Sequence, residues 1–260
     1  MVSRASRAGD HVATIAVWAG AALVATVFAL MLGDIVWHGL GQISWEFLTA
    51  PPSNAGRAGG IGPILVSTAL ILAVCMAVSL PLGVGTAVLL TDFSGRGGGY
   101  ARLVRRSLDV LAGVPSIVFG LFGNALFCNV LGLGFSLLSG GLTLSCMVLP
   151  ILIRSTEAGL RAVPLEYRLG AAALGISRGK ALLHVVLPAA APGIVVGLVL
   201  GVGRAVAETA ALLFTSGYVD RMPSSLMDSG RSLSIHIYDL SMNVAGGSAN
   251  AYASALVLLG

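Results

Sequence analysis

Two opposite charges stand where the chain is otherwise most lipid-soluble. They are Arg204 and Glu208, four residues apart in "GVGRAVAETAALLFTSG", residues 201–217. Their types suit anion recognition. A guanidinium stays protonated even when buried, with a pKa above about 12, and its planar fork of N–H donors matches pairs of oxyanion oxygens. A glutamate one helical turn on can neutralise it while it waits. Thr209 and Thr215 add hydroxyl donors to the same stretch. A central arginine or acidic residue costs about 2.5–3.5 kcal/mol on membrane-insertion scales, so such a pair points to use. The alternative is a buried ion pair that only fixes helix register or subunit pairing, and a buried pair seldom adds net stability.

A continuous helix over residues 189–216 places the pair. At ~100° per residue, Gly193, Gly197, Gly201, Arg204, Glu208, Ala211 and Thr215 fall within about 80° of one another. Glycines four apart admit a neighbouring helix closely. The charged face is therefore expected to meet protein, or a narrow passage, and not lipid.

The rest of the chain must position that face. Of 260 residues, 56% are hydrophobic and only 10% charged. The mean hydropathy of +0.93 belongs to polytopic membrane proteins. The basic balance (pI near 9.3) fits arginine-rich cytoplasmic loops better than nucleic-acid binding. Cys75, Cys128 and Cys146 lie in apolar runs without metal or CxxC spacing, so they read as small packing residues, and no metal or cofactor site is expected.

A membrane helix needs about 20 apolar residues. Uncharged runs predict spans over 12–33, 61–90, 109–131, 140–158 and 189–216, with a turn at "GLGFSLLSGG" dividing the third from the fourth. A sixth, "AYASALVLLG", is about half the needed length and reads as truncated. Pro81, Pro115 and Pro150 are expected to kink their spans, Asp109 to sit favourably at the start of the third, and Glu157 to pair with Arg154. The expected architecture is an all-α polytopic membrane protein of about six transmembrane helices. With the N-terminus inside, Arg4, Arg7, Arg96, Arg102, Arg105, Arg106, Arg154, Arg161, Arg168, Arg178 and Lys180 are cytoplasmic, against Arg57, Arg221 and Arg231 outside. That bias predicts a cytoplasmic N-terminus. The first span lacks a clear cleavage site and reads as a retained helix. Trp37 and Trp45 suit the outer membrane interface, and His38 and Glu46 beside them read as solvated.

The cytoplasmic stretch "EYRLGAAALGISRGKALLHVVLPAAAPG", 166–193, predicts a short helix, a sharp turn at Gly175 and a second helix leading into the membrane. It resembles the coupling loop of ABC importer permeases, with Ala171, Gly175, Val185 and Leu187-Pro188 at the family spacing. Leu169 stands where the family has Glu, and Gly170 where it has the first Ala, which removes one polar docking or capping contact. "DVLAGVPSIVFGLFG" (109–123), "LPILIRSTEAGLRAVPLEYR" (149–168) and "GRAVAETAALLFTSG" (203–217) are similar to phosphate-importer permeases of the PstA family, in the CysTW branch of binding-protein-dependent permeases. Ala207 departs from that family's usual Gly, and "SLSIHIYDLS" (232–241) resembles its segment before the last span.

The resemblance implies an ABC importer type I transmembrane domain over 61–260, with the coupling loop at 159–188, preceded by an N-terminal helix and outer loop over 1–60. It implies a multi-pass protein of a bacterial inner membrane that carries inorganic phosphate. Implied partners are a PstC-like second permease, two PstB-like ATPases docked at Ala171, Gly175, Leu187 and Pro188, and a PstS-like extracytoplasmic phosphate-binding protein. The chain itself is expected to hydrolyse nothing. "LGISRGKA" has Leu174 and Ala181 where a P-loop needs Gly and Ser or Thr, and "SGRGGGY" (94–100) reads as a flexible loop. The rivals are a permease for another oxyanion, or a stand-alone channel or secondary carrier.

Overall fold

The computed structural model describes residues 4–93 and 99–259. Most of the "SGRGGGY" loop therefore lies outside the described residues.

Helix α1 (Arg4–Gly39) is long, uncharged through its middle, and exposed along it. Among the described residues, its contacts with the body lie at its far end. The Tyr252 hydroxyl donates to Asp34 at 2.9 Å, and the His38 and Tyr252 rings lie 5.0 Å apart. A 3-10 turn follows, then α2 (Trp45–Thr49), whose first turn donates the Phe47 N–H to the Ser44 hydroxyl. Two short antiparallel strands, β1 (Pro52–Ser53) and β2 (Ala58–Gly59), complete this outer segment.

Helix α3 (Gly62–Val88) starts with Pro63 in its first turn, where the missing N–H costs nothing. It ends in a π-helical turn, Leu89–Phe93. Next come α4 (Gly99–Ala112) and α5 (Ser116–Gly123), the latter extended by a π-helical stretch, Asn124–Val130. The two parts bend by 103° at Gly113–Pro115. Helix α6 (Leu137–Ala162) is capped by the Ser136 hydroxyl. The loop helices α7 (Leu165–Ala173) and α8 (Arg178–Ala181) lead through a π-helical stretch, Leu182–Val186, into α9 (Leu187–Val206). Short α10 (Ala210–Leu213), then α11 (Leu233–Met242) and α12 (Ser248–Leu259) close the described chain.

Among the described residues, four stretches are long and apolar enough to cross a membrane: Ala13–Gln42, Gly62–Asp92, Leu137–Ala162 and Arg178–Val206. The bent pair makes a fifth if taken as one span, and α12 is a shorter apolar helix in the place of the sixth. The core runs between α3 and α6. Ile71, Cys75, Leu144, Val148 and Leu152 are buried there with Phe119, Leu212 and Ile235. A second cluster at the other end joins Ala87, Leu90, Leu108, Ile153, Leu160, Val186 and Ala190.

Three expectations need correction. The third span is not one helix over 109–131. Pro115 lacks an N–H and pushes Val114 out of the α region, so the chain turns there, and Asp109 ends α4 instead of opening a span. Pro81 and Pro150 lie inside α3 and α6, which continue through them. The fifth span stops at Val206, and the wheel positions assigned to Glu208, Ala211 and Thr215 do not apply beyond it. Arg154 does not pair with Glu157. It pairs with Asp109, and Glu157 takes Arg105 and Arg161 instead.

Candidate functional site

The glycine face of α9 packs on α6. A Cβ on Gly193 would fall 2.5 Å from the Gly159 Cα and 3.1 Å from the Ser155 carbonyl oxygen. One on Gly201 would fall 2.7 Å from a Val148 methyl. The Ser155 hydroxyl donates across this seam to the Gly193 carbonyl at 2.8 Å. The face therefore meets protein, as its small residues required.

Arg204 rides in the last turn of α9, where exposed carbonyls favour a cation. Its Nη1 donates to Glu208 Oε2 at 2.8 Å, and its Nη2 lies 3.7 Å from the Met147 sulfur. Glu208 sits in the break after α9 and holds that break together. Its Oε1 accepts the Ala211 N–H at 3.2 Å, and its carbonyl accepts the Ser234 hydroxyl at 2.6 Å. The pair is asymmetric: the Glu208 side chain is 3% exposed and Arg204 43%. The carboxylate is fixed, and the guanidinium, with five N–H donors, keeps some of them free for another acceptor.

The two threonines part company. Thr209 is half-buried in the break. Thr215 is fully buried and donates its hydroxyl to the Ala211 carbonyl at 2.9 Å, so that hydrogen is not free for an anion. Sequence reasoning missed Asn124, which donates to the Phe214 carbonyl at 2.7 Å and ties the end of α5 to the segment after the break. An amide inside an uncharged apolar run was the available signal.

The loop matches its expected shape in detail. Helix α7 ends in a Schellman motif: the Gly175 N–H bonds the Ala172 carbonyl at 3.0 Å, and the Ile176 N–H bonds the Ala171 carbonyl at 3.0 Å. Gly175 has φ +71°, the left-handed region that glycine enters freely. Ala171 is buried, whereas Leu165, Tyr167, Leu169 and Leu174 present apolar surface outwards. Leu187 and Pro188 open α9, Pro188 in the first turn.

Charged contacts bind this loop to the spans. Arg168 of α7 pairs with Asp92 in the π turn after α3. Arg105 of α4 donates to Glu157 at 2.9 Å and to the Leu90 carbonyl at 3.1 Å, and Arg161 donates to Glu157 at 2.6 Å. Leu90, Asp92, Arg105, Arg161, Pro164 and Arg168 line a cavity of about 870 Å³ between loop and spans. Reading these residues only as orientation markers concealed that they meet.

Residues 79–260 match the family described as binding-protein-dependent transport system inner membrane component. The chain is 32% identical to a probable ABC transporter permease protein, YqgI, of Bacillus subtilis, covering 85% of this chain and 79% of that protein. It is 34% identical to the phosphate transport system permease protein PstA 2 of Mycobacterium bovis, covering 78% and 66%. With PstA 1 of Mycobacterium tuberculosis it shares 40% identity over 62% of this chain and 52% of that protein. The chain thus spans between about half and four fifths of the length of these three relatives. In fold it is similar to a chain of the inward-facing MetNI methionine ABC transporter, with a TM-score of 0.55 at 17% identity, covering 77% and 86%. The family match over most of its length, together with the fold shared with an ABC transporter chain, places this chain in the family of binding-protein-dependent transport system inner membrane components.

Proposed function

We propose that this chain is the permease subunit of an ATP-driven importer and forms part of the path for inorganic phosphate across the inner membrane. The observation that carries the reading is its likeness to relatives named as phosphate permeases, together with a half-exposed arginine at a helix break. In this reading the complex holds a second permease, two ATPases and an extracytoplasmic phosphate-binding protein. ATP hydrolysis belongs to the ATPases. The N-terminus lies in the cytoplasm, with α7 and its Gly175 turn on the same side. Residues 1–60 supply an outer helix and loop, and 61–260 the transporting domain.

Arg204 is the substrate contact. Apart from Arg204, Glu208 is held by the Ala211 N–H on one carboxylate oxygen and by Ser234 at its own carbonyl, so it stays when the guanidinium leaves. The guanidinium moves instead. While it donates to Glu208 it offers little net charge; turned toward the path it presents its fork to phosphate oxygens. Thr209, in the break, adds a hydroxyl. Inward movement of α7, pulled by the ATPases, passes through Arg168 and Asp92 to α3 and through the π stretch to α9.

The test is uptake by the assembled complex in vesicles. Arg204→Gln should assemble and bind ATPase yet lose most phosphate uptake, and Arg204→Lys should recover only part of it. Wild-type rates in Arg204→Gln would remove Arg204 from the path. Competition by another oxyanion stronger than by phosphate would reassign the substrate.

A further inference from the structure

Helix α4 carries three different surfaces. Ala101, Val104, Leu108 and Leu111 recur at helical spacing and pack inward against α3 and α6. Arg102, Arg106 and Asp109 form a charged strip centred about 105° away from Ala101 around the axis. Tyr100, Leu103 and Val110 make the third surface, and they are 70%, 64% and 72% exposed. Three large apolar side chains exposed along one helix face are unfavourable in water, and such a face beside basic residues is what membrane-surface helices bury.

The placement of α4 says what covers them. Leu108 shares a core with Val88 and Leu90 at the end of α3 and with Ile153 and Leu160 near the end of α6. Arg105 bonds the Leu90 carbonyl at that same end. The helix therefore meets the spans where they run out, and the chain bends by 103° between it and the segment that follows. Asp109 is taken by Arg154. Among the described residues, Arg102 and Arg106 have no acidic partner, leaving two uncompensated positive charges beside the exposed apolar strip.

We propose that α4 is an interfacial anchor that binds anionic phospholipid, with Tyr100, Leu103 and Val110 in the acyl boundary and Arg102 and Arg106 at the headgroups. Apolar burial sets the depth, and the two arginines select negative lipid. Because the neighbouring Arg105 grips Glu157 of α6 and the end of α3, lipid held on α4 also steadies the ends of both spans. The inference concerns lipid and is independent of which solute is carried.

The experiment uses the assembled complex in phosphatidylcholine vesicles containing phosphatidylglycerol. Leu103→Cys carries a fluorophore, and nitroxide-labelled phosphatidylglycerol and phosphatidylcholine compete to quench it. The expected result is a preference for phosphatidylglycerol. That preference should fall about 25-fold in Arg102→Gln/Arg106→Gln, about fivefold for each arginine. Arg102→Lys/Arg106→Lys should retain it, since charge suffices. An undiminished preference in the glutamine variant, or its loss in the lysine variant, overturns the proposal. So does a photo-crosslinker at position 103 that labels a second permease instead of lipid. None of these readouts requires transport, so failure here is separable from failure of the phosphate reading.

Discussion

Substituting Gly193 by alanine puts one methyl into the seam between α6 and α9. The new Cβ would lie 2.5 Å from the Gly159 Cα, 3.0 Å from the Gly159 nitrogen and 3.1 Å from the Ser155 oxygen. Ordinary carbon contacts lie at about 3.5–4.0 Å, so the helices must part by about 1 Å. All three obstructing atoms are backbone, and no side chain can turn aside. Overpacking of this kind costs about 1–3 kcal/mol. Loosening the Ser155–Gly193 hydrogen bond adds about 0.6 kcal/mol, and the better helix propensity of alanine returns about 0.8–1 kcal/mol. The net loss is about 1–3 kcal/mol, which at about 2–4 °C per kcal/mol lowers the Tm by about 2–12 °C. Cys75 and Cys128 are buried, so a thiol-reactive dye reports unfolding in detergent without an added probe. Gly203→Ala is the control, because a Cβ there meets nothing within 4 Å and should leave the Tm unchanged or slightly raised. Equal Tm values for Gly193→Ala and the unsubstituted protein, or an equal fall in Gly203→Ala, would refute the close seam.

Three further outcomes are expected. Gly175→Ala has room for its methyl but holds φ +71° only at about 1–2 kcal/mol; the exposed turn relaxes in the free chain, whose Tm stays put, and docking must restore it, so ATPase co-purification should weaken about 5- to 30-fold. Asp92→Asn should lower transport per ATP hydrolysed without loss of assembly, and Asp92→Arg with Arg168→Asp should restore it; a swapped pair no better than the single variant would mean the contact transmits nothing. His236 is buried beside Arg231, and burial first, then the nearby guanidinium, push its pKa down to about 4. Its unfolded-state value is near 6.5, so the unfolded chain binds the extra proton between these limits and stability falls as pH drops from about 6.5 towards 4. By pH 5 the loss is about 2 kcal/mol, and a His236→Asn variant should show a flatter Tm between pH 7 and pH 5.

Much of the membrane layout was legible because long uncharged runs have few folded alternatives. The glycine spacing of α9 was equally readable, since four-residue intervals define one face whatever that face meets. The Gly175 turn was legible from one residue that accepts a left-handed conformation. The break at Ala207–Thr209 was not, for "AVAETAA" holds no glycine or proline and every residue suits a helix. What ends α9 is a set of contacts on Glu208, one of them from Ser234, 26 residues later. The pairing of Arg105 with Glu157, and of Arg168 with Asp92, spans 52 and 76 residues. Spacing reveals neighbours within a turn, so it suggested Arg154 with Glu157 and could not show that both had partners elsewhere. Pro115 was visible, but a kink and a turn of 103° differ only in whether the flanking residues rejoin one helix.

The most direct measurement is phosphate uptake by vesicles holding the assembled complex, with ATP on the ATPase side and the binding protein on the other. The account expects uptake that requires both, that excess sulfate does not suppress, and that falls at least tenfold in Arg204→Gln at unchanged assembly. Phosphate entry that proceeds without ATP, or ATP-driven uptake of a different solute in its place, would contradict it.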